Sequence, residues 1–133
     1  MSQENVEIAR RCFDAWSRWA IDEIAACYAP DAEIVSPESE MFGHTYTGRE
    51  GLRLYIEHFT AVFEPPAFEL EEILDAGDQG VVSVVRLRAR GTRSGVEVAD
   101  RTASVFTIRD GLISRQVIYV DRAEALEAVG LSE

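Results

Sequence analysis

The stretch VEVADRTASVFTIRDGLISRQVIYVD, Val96 to Asp121, decides the fold. It reads as two long strands, 96–109 and 112–120, joined at Arg109-Asp110-Gly111. Asp-Gly is a hairpin signal because glycine takes the φ > 0 conformation that a tight turn needs. A long antiparallel sheet that follows helices in a short chain predicts an α+β fold.

Working back from that hairpin, a strand over 81–90 turns at 91–95, and another over 68–74 turns at Asp75–Gly80. Together they predict a four-stranded meander. Three helices precede it. The first is expected over 3–19, with Ser2 as N-cap. Val6, Ala9, Cys12, Phe13, Ala15, Trp16 and Trp19 fall on one half of its wheel, with charged residues on the other. A short helix over 22–28 stops before Pro30. The third, over 48–63, opens on Thr47-Gly48-Arg49-Glu50, which has capping-box spacing. Its stripe is Leu52, Ile56, Phe59 and Phe63, flanked by Tyr55 and Val62. Between helices two and three, 31–36 alternates as a short strand ended by Pro37, and 37–47 reads as a loop. Asp121-Arg122-Ala123-Glu124 repeats the capping pattern and predicts a short helix that ends at Gly130.

The 133 residues fit one domain, 1–133, with one core. A formal net charge of -11 repels phosphate backbones and anionic membrane surfaces, so neither nucleic acid nor membrane is an expected partner. The polar start, Met1-Ser2-Gln3-Glu4-Asn5, has no apolar leader run, and a cytosolic (cytoplasmic) location is expected. Cys12 and Cys27 are expected to be reduced, in or near the core. The two histidines, His44 and His58, make no zinc-type cluster with them, so no metal is expected.

The element order, the run Tyr28-Ala29-Pro30-Asp31-Ala32-Glu33-Ile34, the helix start Gly48-Arg49-Glu50-Gly51-Leu52, the hairpin 105–119 and the tail Asp121-Arg122-Ala123-Glu124-Ala125-Leu126 resemble the SnoaL-like group of the nuclear transport factor 2-like superfamily. The resemblance spans essentially the whole chain. It implies a cone: a strongly bent, mostly antiparallel sheet wrapped around a long N-terminal helix, with a cavity at the open end. It also implies a homodimer through the outer sheet face. Its members include ketosteroid isomerases, polyketide cyclases, epoxide hydrolases, dehydratases and non-catalytic adaptors, so fold alone does not assign function.

Ketosteroid isomerases use an aspartate base, with a tyrosine and a protonated acid holding the enolate. At the matching positions this sequence has Ser36 for the base, Cys12 for the tyrosine and Ser104 for the acid. A serine is no base near neutral pH without a proton acceptor of its own. Steroid-isomerase chemistry by that mechanism is therefore rejected.

Strand alternation places Ser104, Phe106, Ile108, Thr102 and Asp100 on one face, matched on the last strand by Ser114, Gln116, Ile118 and Val120. Gln116, polar in mid-strand, needs a partner if buried. Two acids are candidates for proton transfer: Glu38, two residues past the family's base position, and Asp100. A buried glutamate whose pKa rises toward neutrality can remove a proton next to a carbonyl. The bland reading of both is a solvated acid. Trp16, Ser36, Tyr55, Phe59, Ser104, Phe106 and Gln116 are the expected substrate-binding residues, and the aromatic ones among them can equally be core filling. Arg86, Arg88 and Arg90, near Arg93 and Arg101, either form an anion site or lie on the outer sheet face and pair with Glu69, Glu71 or a dimer partner.

These readings give a cofactor-free enzyme or binder for a small apolar or carbonyl-containing ligand. If catalytic, it is an isomerase, cyclase or lyase working by proton transfer. The alternative is a non-catalytic dimeric ligand-binding or adaptor domain.

Overall fold

A computed structural model describes residues 2–37, 45–64 and 66–131. Among the described residues four α-helices, α1 (Ser2–Ser17), α2 (Ile21–Cys27), α3 (Gly48–Val62) and α4 (Arg122–Ala128), accompany one six-stranded sheet. Its strands are β1 (Tyr28–Val35), β2 (Tyr46–Thr47), β3 (Ala67–Asp75), β4 (Val81–Arg90), β5 (Glu97–Arg109) and β6 (Leu112–Tyr119). They lie in the order β2-β1-β6-β5-β4-β3. β3 to β6 form the expected antiparallel meander; β1 joins its β6 edge in parallel and carries β2 antiparallel on its other side. The sheet is curved and unclosed, and α1 lies across its concave face against β3 and β4. The fold is thus the expected α+β cone.

At the β5–β6 turn Asp110 has φ 53° and Gly111 φ 81°, so both central residues are left-handed, as a tight hairpin between twisted strands requires. The sheet divides its side chains by alternation. On the concave face Val81, Phe106 and Ile113 join Ala9, Cys12 and Ala15 of α1, Ile24 of α2, Tyr28, Ala32 and Ile34 of β1 and Leu52 of α3 in one core. On the convex face Val82, Val84, Ala103 and Val105 pack against Ala125 of α4 and Val129 at its C-cap. No helix among the described residues is long and apolar enough to cross a membrane.

Four local expectations change. α1 ends at Ser17, not Trp19, because Trp19 turns left-handed at φ 52°. The Trp19 and Ala20 N–H groups close back on the carbonyls of Trp16 (3.1 Å) and Ala15 (3.0 Å), a Schellman ending with tryptophan where glycine is usual. β1 starts at Tyr28, through Pro30, because α2 stops at Cys27. β2 is a strand inside the segment read as loop. The Thr47 side chain makes no capping hydrogen bond, and the Glu50 carboxylate pairs with Arg53 instead of closing the box. By contrast Asp121 caps α4 as read, accepting from the Glu124 N–H at 2.9 Å.

Candidate functional site

β5 and β6 bring together the polar residues that alternation placed inward. Ser104 lies opposite Ile118, and Phe106 opposite Gln116. A bulge between Thr107 and Ile108 then shifts the register, so Ile113, not Ser114, enters the core. The Ser114 hydroxyl turns to the Thr107 carbonyl at 3.2 Å.

Gln116 is buried, and the hydrogen-bond chain it joins draws on α1, β1 and β5. Trp16 Nε1 of α1 donates to the Tyr28 hydroxyl at 3.2 Å, and Cys12 Sγ donates to the same oxygen at 3.6 Å. The Tyr28 hydroxyl donates to Gln116 Oε1. Gln116 Nε2 donates to Ser104 Oγ at 3.1 Å. The direction of this chain is fixed at its first link. An indole N–H has a proton to give and no lone pair to accept with, so the phenol oxygen accepts and its own proton goes on to Gln116. The order is therefore Trp16 to Tyr28 to Gln116 to Ser104. It leaves two unspent protons, the Ser104 hydroxyl proton and the second amide N–H of Gln116, neither with an acceptor among the described residues. Burial first, then the neighbouring Cys12, pushes the Tyr28 phenol well above the ordinary tyrosine range, so it stays neutral.

Trp16 belongs to a second group as well. Its ring meets Trp19 edge-on at 5.8 Å and Tyr55 at 6.1 Å. Tyr55 meets Tyr46 at 5.3 Å, and Trp19 meets Phe59 at 6.3 Å. All five rings are partly exposed. The strained Trp19 backbone holds its ring in this wall, with Nε1 donating to the Pro66 carbonyl at 3.3 Å. Polar chain and aromatic wall thus share one residue.

Of the expected binding residues, Trp16, Ser104, Phe106 and Gln116 meet in this cluster, and Tyr55 and Phe59 lie in the wall. Ser36 is buried just past β1, beside the Val35–Val117 pair. Asp100 shares the face of Ser104 but lies exposed opposite Leu87, its carboxylate accepting from the Arg101 N–H at 2.8 Å. Glu38, like His44, lies outside the described residues. His58 is exposed, its Nδ1 2.8 Å from the Tyr46 hydroxyl. Among the described residues the buried polar side chains are Ser36, Ser83, Ser104 and Gln116, with no carboxylate or imidazole, and no group of histidines, cysteines and acids could hold a metal. Tyr28 was missed as a site residue. Its signal was present: carried back from Ile34 and Ala32, the even-numbered alternation of β1 reaches it.

The arginines of β4 lie on the convex face, and two of them, Arg86 and Arg90, are paired there with acids. Glu71 bridges Arg101 at 2.5 Å and Arg86 at 3.5 Å, and Arg90 faces Glu97 at 3.9 Å.

The SnoaL-like domain matches residues 9–116. An uncharacterised protein of Mycobacterium tuberculosis is 29% identical over 121 residues, 90% of this chain and 91% of that one. A solved NTF2-like protein of unknown function from Burkholderia pseudomallei superposes with a TM-score of 0.79 at 20% identity, over 97% of this chain and 98% of the other. TerC, crystallised with polyporic acid, gives 0.77 at 22% identity, over 96% and 98%. The structural likenesses establish the fold, and the match over residues 9–116 establishes the family: this chain belongs to the SnoaL-like domain family.

Proposed function

We propose that this protein binds a small, flat, mostly apolar molecule carrying a carbonyl or similar acceptor oxygen. The observation that carries the reading is the direction of the Trp16–Tyr28–Gln116–Ser104 chain. Its two unspent protons, on Ser104 and Gln116, are donors, and a ligand acceptor atom would take them up. The ring of such a ligand packs against Trp16, Tyr55 and Phe59, where apolar area and edge-to-face geometry favour aromatics. Neighbours in this fold support small-molecule binding, TerC with polyporic acid among them.

Binding without catalysis is favoured over proton transfer, because no acid or imidazole is buried at the chain among the described residues. An isomerase or cyclase reading rests on Glu38, which stands two residues after the buried Ser36. A homodimer through the convex sheet face belongs to this proposal also.

The test is a fluorescence titration with a naphthyl methyl ketone and with ethylnaphthalene, which has the same ring system and no carbonyl. Quenching of tryptophan emission is expected, with the ketone binding about tenfold tighter, the worth of one buried hydrogen bond. Ser104→Ala should remove most of that preference. Equal affinity for the two in the unaltered protein would overturn the carbonyl assignment, and no binding of either would overturn the pocket.

A further inference from the structure

Ser83 of β4 is a buried polar residue that the interior chain does not use. It lies directly opposite Ser104, and directly opposed residues of an antiparallel pair point to the same face. Its neighbours agree: Val81, two residues before it, belongs to the concave core, and Val82 and Val84 belong to the convex one. Ser83, Ser104 and Gln116 therefore sit on three adjacent strands, β4, β5 and β6, and share the concave floor.

The Ser83 hydroxyl has no hydrogen-bond partner among the described residues. Interior polar groups are normally paired. Among the described residues no side-chain nitrogen or oxygen is both shielded from solvent and unpartnered. The Ser83 oxygen consequently borders open space, although the residue as a whole is only 5% exposed. Exposure along the β4–β5 ladder rises on one side of it. The Val81–Phe106 and Ser83–Ser104 pairs are buried; the next two, Val85–Thr102 and Leu87–Asp100, are half-buried or exposed. Phe68, opposite Leu87 on β3, meets Trp19 of the aromatic wall at 6.2 Å. The unpartnered hydroxyl thus lies where the concave face begins to open, on the side that the wall flanks.

What Ser83 could hold follows from the ligand reading above, and rests on it. A carbonyl oxygen has two lone pairs. The Ser104 hydroxyl proton and the second Gln116 N–H supply two donors, which is its full complement. Ser83 must then meet a different ligand atom. Directly opposed residues have Cβ atoms about 5 Å apart, a spacing that suits two ligand oxygens on adjacent carbons. A serine hydroxyl both donates and accepts, and a ligand hydroxyl answers it in either direction.

We propose that Ser83 selects ligands with a hydroxyl on the carbon next to the carbonyl, so that the ligand class is an aromatic α-hydroxy ketone. Ser104 and Gln116 hold the carbonyl oxygen, and Ser83 holds the hydroxyl. In the ligand-free protein the Ser83 hydroxyl makes no bond that the fold depends on.

The experiment adds two ligands to the fluorescence titration, the naphthyl ethyl ketone and the naphthyl hydroxymethyl ketone. They have the same number of heavy atoms and differ only in a methyl against a hydroxyl. In the unaltered protein the hydroxymethyl ketone should bind about tenfold tighter, the worth of one buried hydrogen bond. Ser83→Ala should abolish that preference and leave the methyl ketone still preferred over ethylnaphthalene. Urea unfolding of ligand-free Ser83→Ala should give a midpoint equal to or above that of the unaltered protein, because no hydrogen bond is lost. Equal binding of the ethyl and hydroxymethyl ketones would overturn the inference. It does so alone if the methyl ketone is still preferred over ethylnaphthalene; if that preference is absent too, the carbonyl reading falls with it. A hydroxyl preference that survives Ser83→Ala would also overturn it. So would a lowered midpoint, which would show that the hydroxyl serves the fold.

Discussion

The Tyr28 hydroxyl reaches the Gln116 amide although the backbone register of the parallel β1–β6 pair sets Tyr28 beside Ile113. The irregularity between Tyr28 and Glu33 separates that pairing from the regular one, in which Ile34 lies beside Gln116. Tyr28 thereby spans from the end of α2 to the middle of β6 and ties the α1 residues Cys12 and Trp16 to the sheet. Because every member of this chain is buried or partly buried, removing its central oxygen has consequences beyond one lost bond.

Tyr28→Phe leaves the Trp16 N–H and the Gln116 carbonyl without their partner in the interior. A loss of about 1–3 kcal/mol is expected, since an unsatisfied buried group costs its full desolvation. Urea unfolding followed by circular dichroism should show a lower midpoint at unchanged slope. A midpoint equal to the unaltered protein would mean that the chain contributes nothing to stability.

The titration of Tyr28 gives stability a direction with pH. Its folded pKa is raised, chiefly by burial, above the ordinary tyrosine value of about 10. The neutral phenol therefore favours folding. Its contribution is fully present below the unfolded value and is lost as pH rises through the folded one. Thermal melts should fall in the alkaline range, and fall less steeply in Tyr28→Phe. Cys27 runs the opposite way. Its folded value, about 7, lies below that of an ordinary thiol, so its contribution is present above the unfolded value and is lost as pH falls through about 7. Its alkylation rate by iodoacetamide should rise with a midpoint near the same pH.

Gly80 follows the 3₁₀ turn between β3 and β4 and has φ 115°; a Cβ there would lie 2.4 Å from the Phe106 carbonyl oxygen. Both the conformation and the contact with backbone oppose a side chain. Gly80→Ala should lose about 1–3 kcal/mol and disturb the Val81–Phe106 pair that floors the concave core. The same urea experiment reads it, and a change within error would contradict the close approach.

Arg101→Ala should leave the melting temperature within error, because its ion pair with Glu71 is exposed and screened by water. Sulfate titration followed by calorimetry should show no saturable binding in either protein. Saturable binding that Arg101→Ala abolishes would restore the anion-site reading of the arginine strand.

Most of the fold was legible because its signals are local. The Asp110-Gly111 turn, the alternation of β4 to β6, the stripe of α3 and the Asp121 cap each depend on a few neighbouring residues. Once the family resemblance set Ser104 facing inward, Phe106 and Gln116 followed from period-two alternation and a shared turn. What escaped was decided by tertiary contacts. Trp19 keeps a left-handed backbone because its ring is held by Trp16, Phe59 and Phe68. The bulge at Ser114 reverses alternation over the first part of β6, and no residue type announces it. β2 is only two residues long and exists by pairing with Glu33 and Ile34. The demand that a mid-strand glutamine find a partner was readable at Gln116, but which residue answers it was set by β1 beginning at Tyr28.

The most direct measurement of the central claim is the infrared carbonyl stretch of the naphthyl methyl ketone, carbon-13 labelled at its carbonyl, bound to the unaltered protein and to Ser104→Ala. If the interior chain ends in donors aimed at a ligand oxygen, the bound stretch lies below its value in an apolar solvent and moves back up in Ser104→Ala. A bound stretch equal to that in apolar solvent, unmoved by Ser104→Ala, would contradict it.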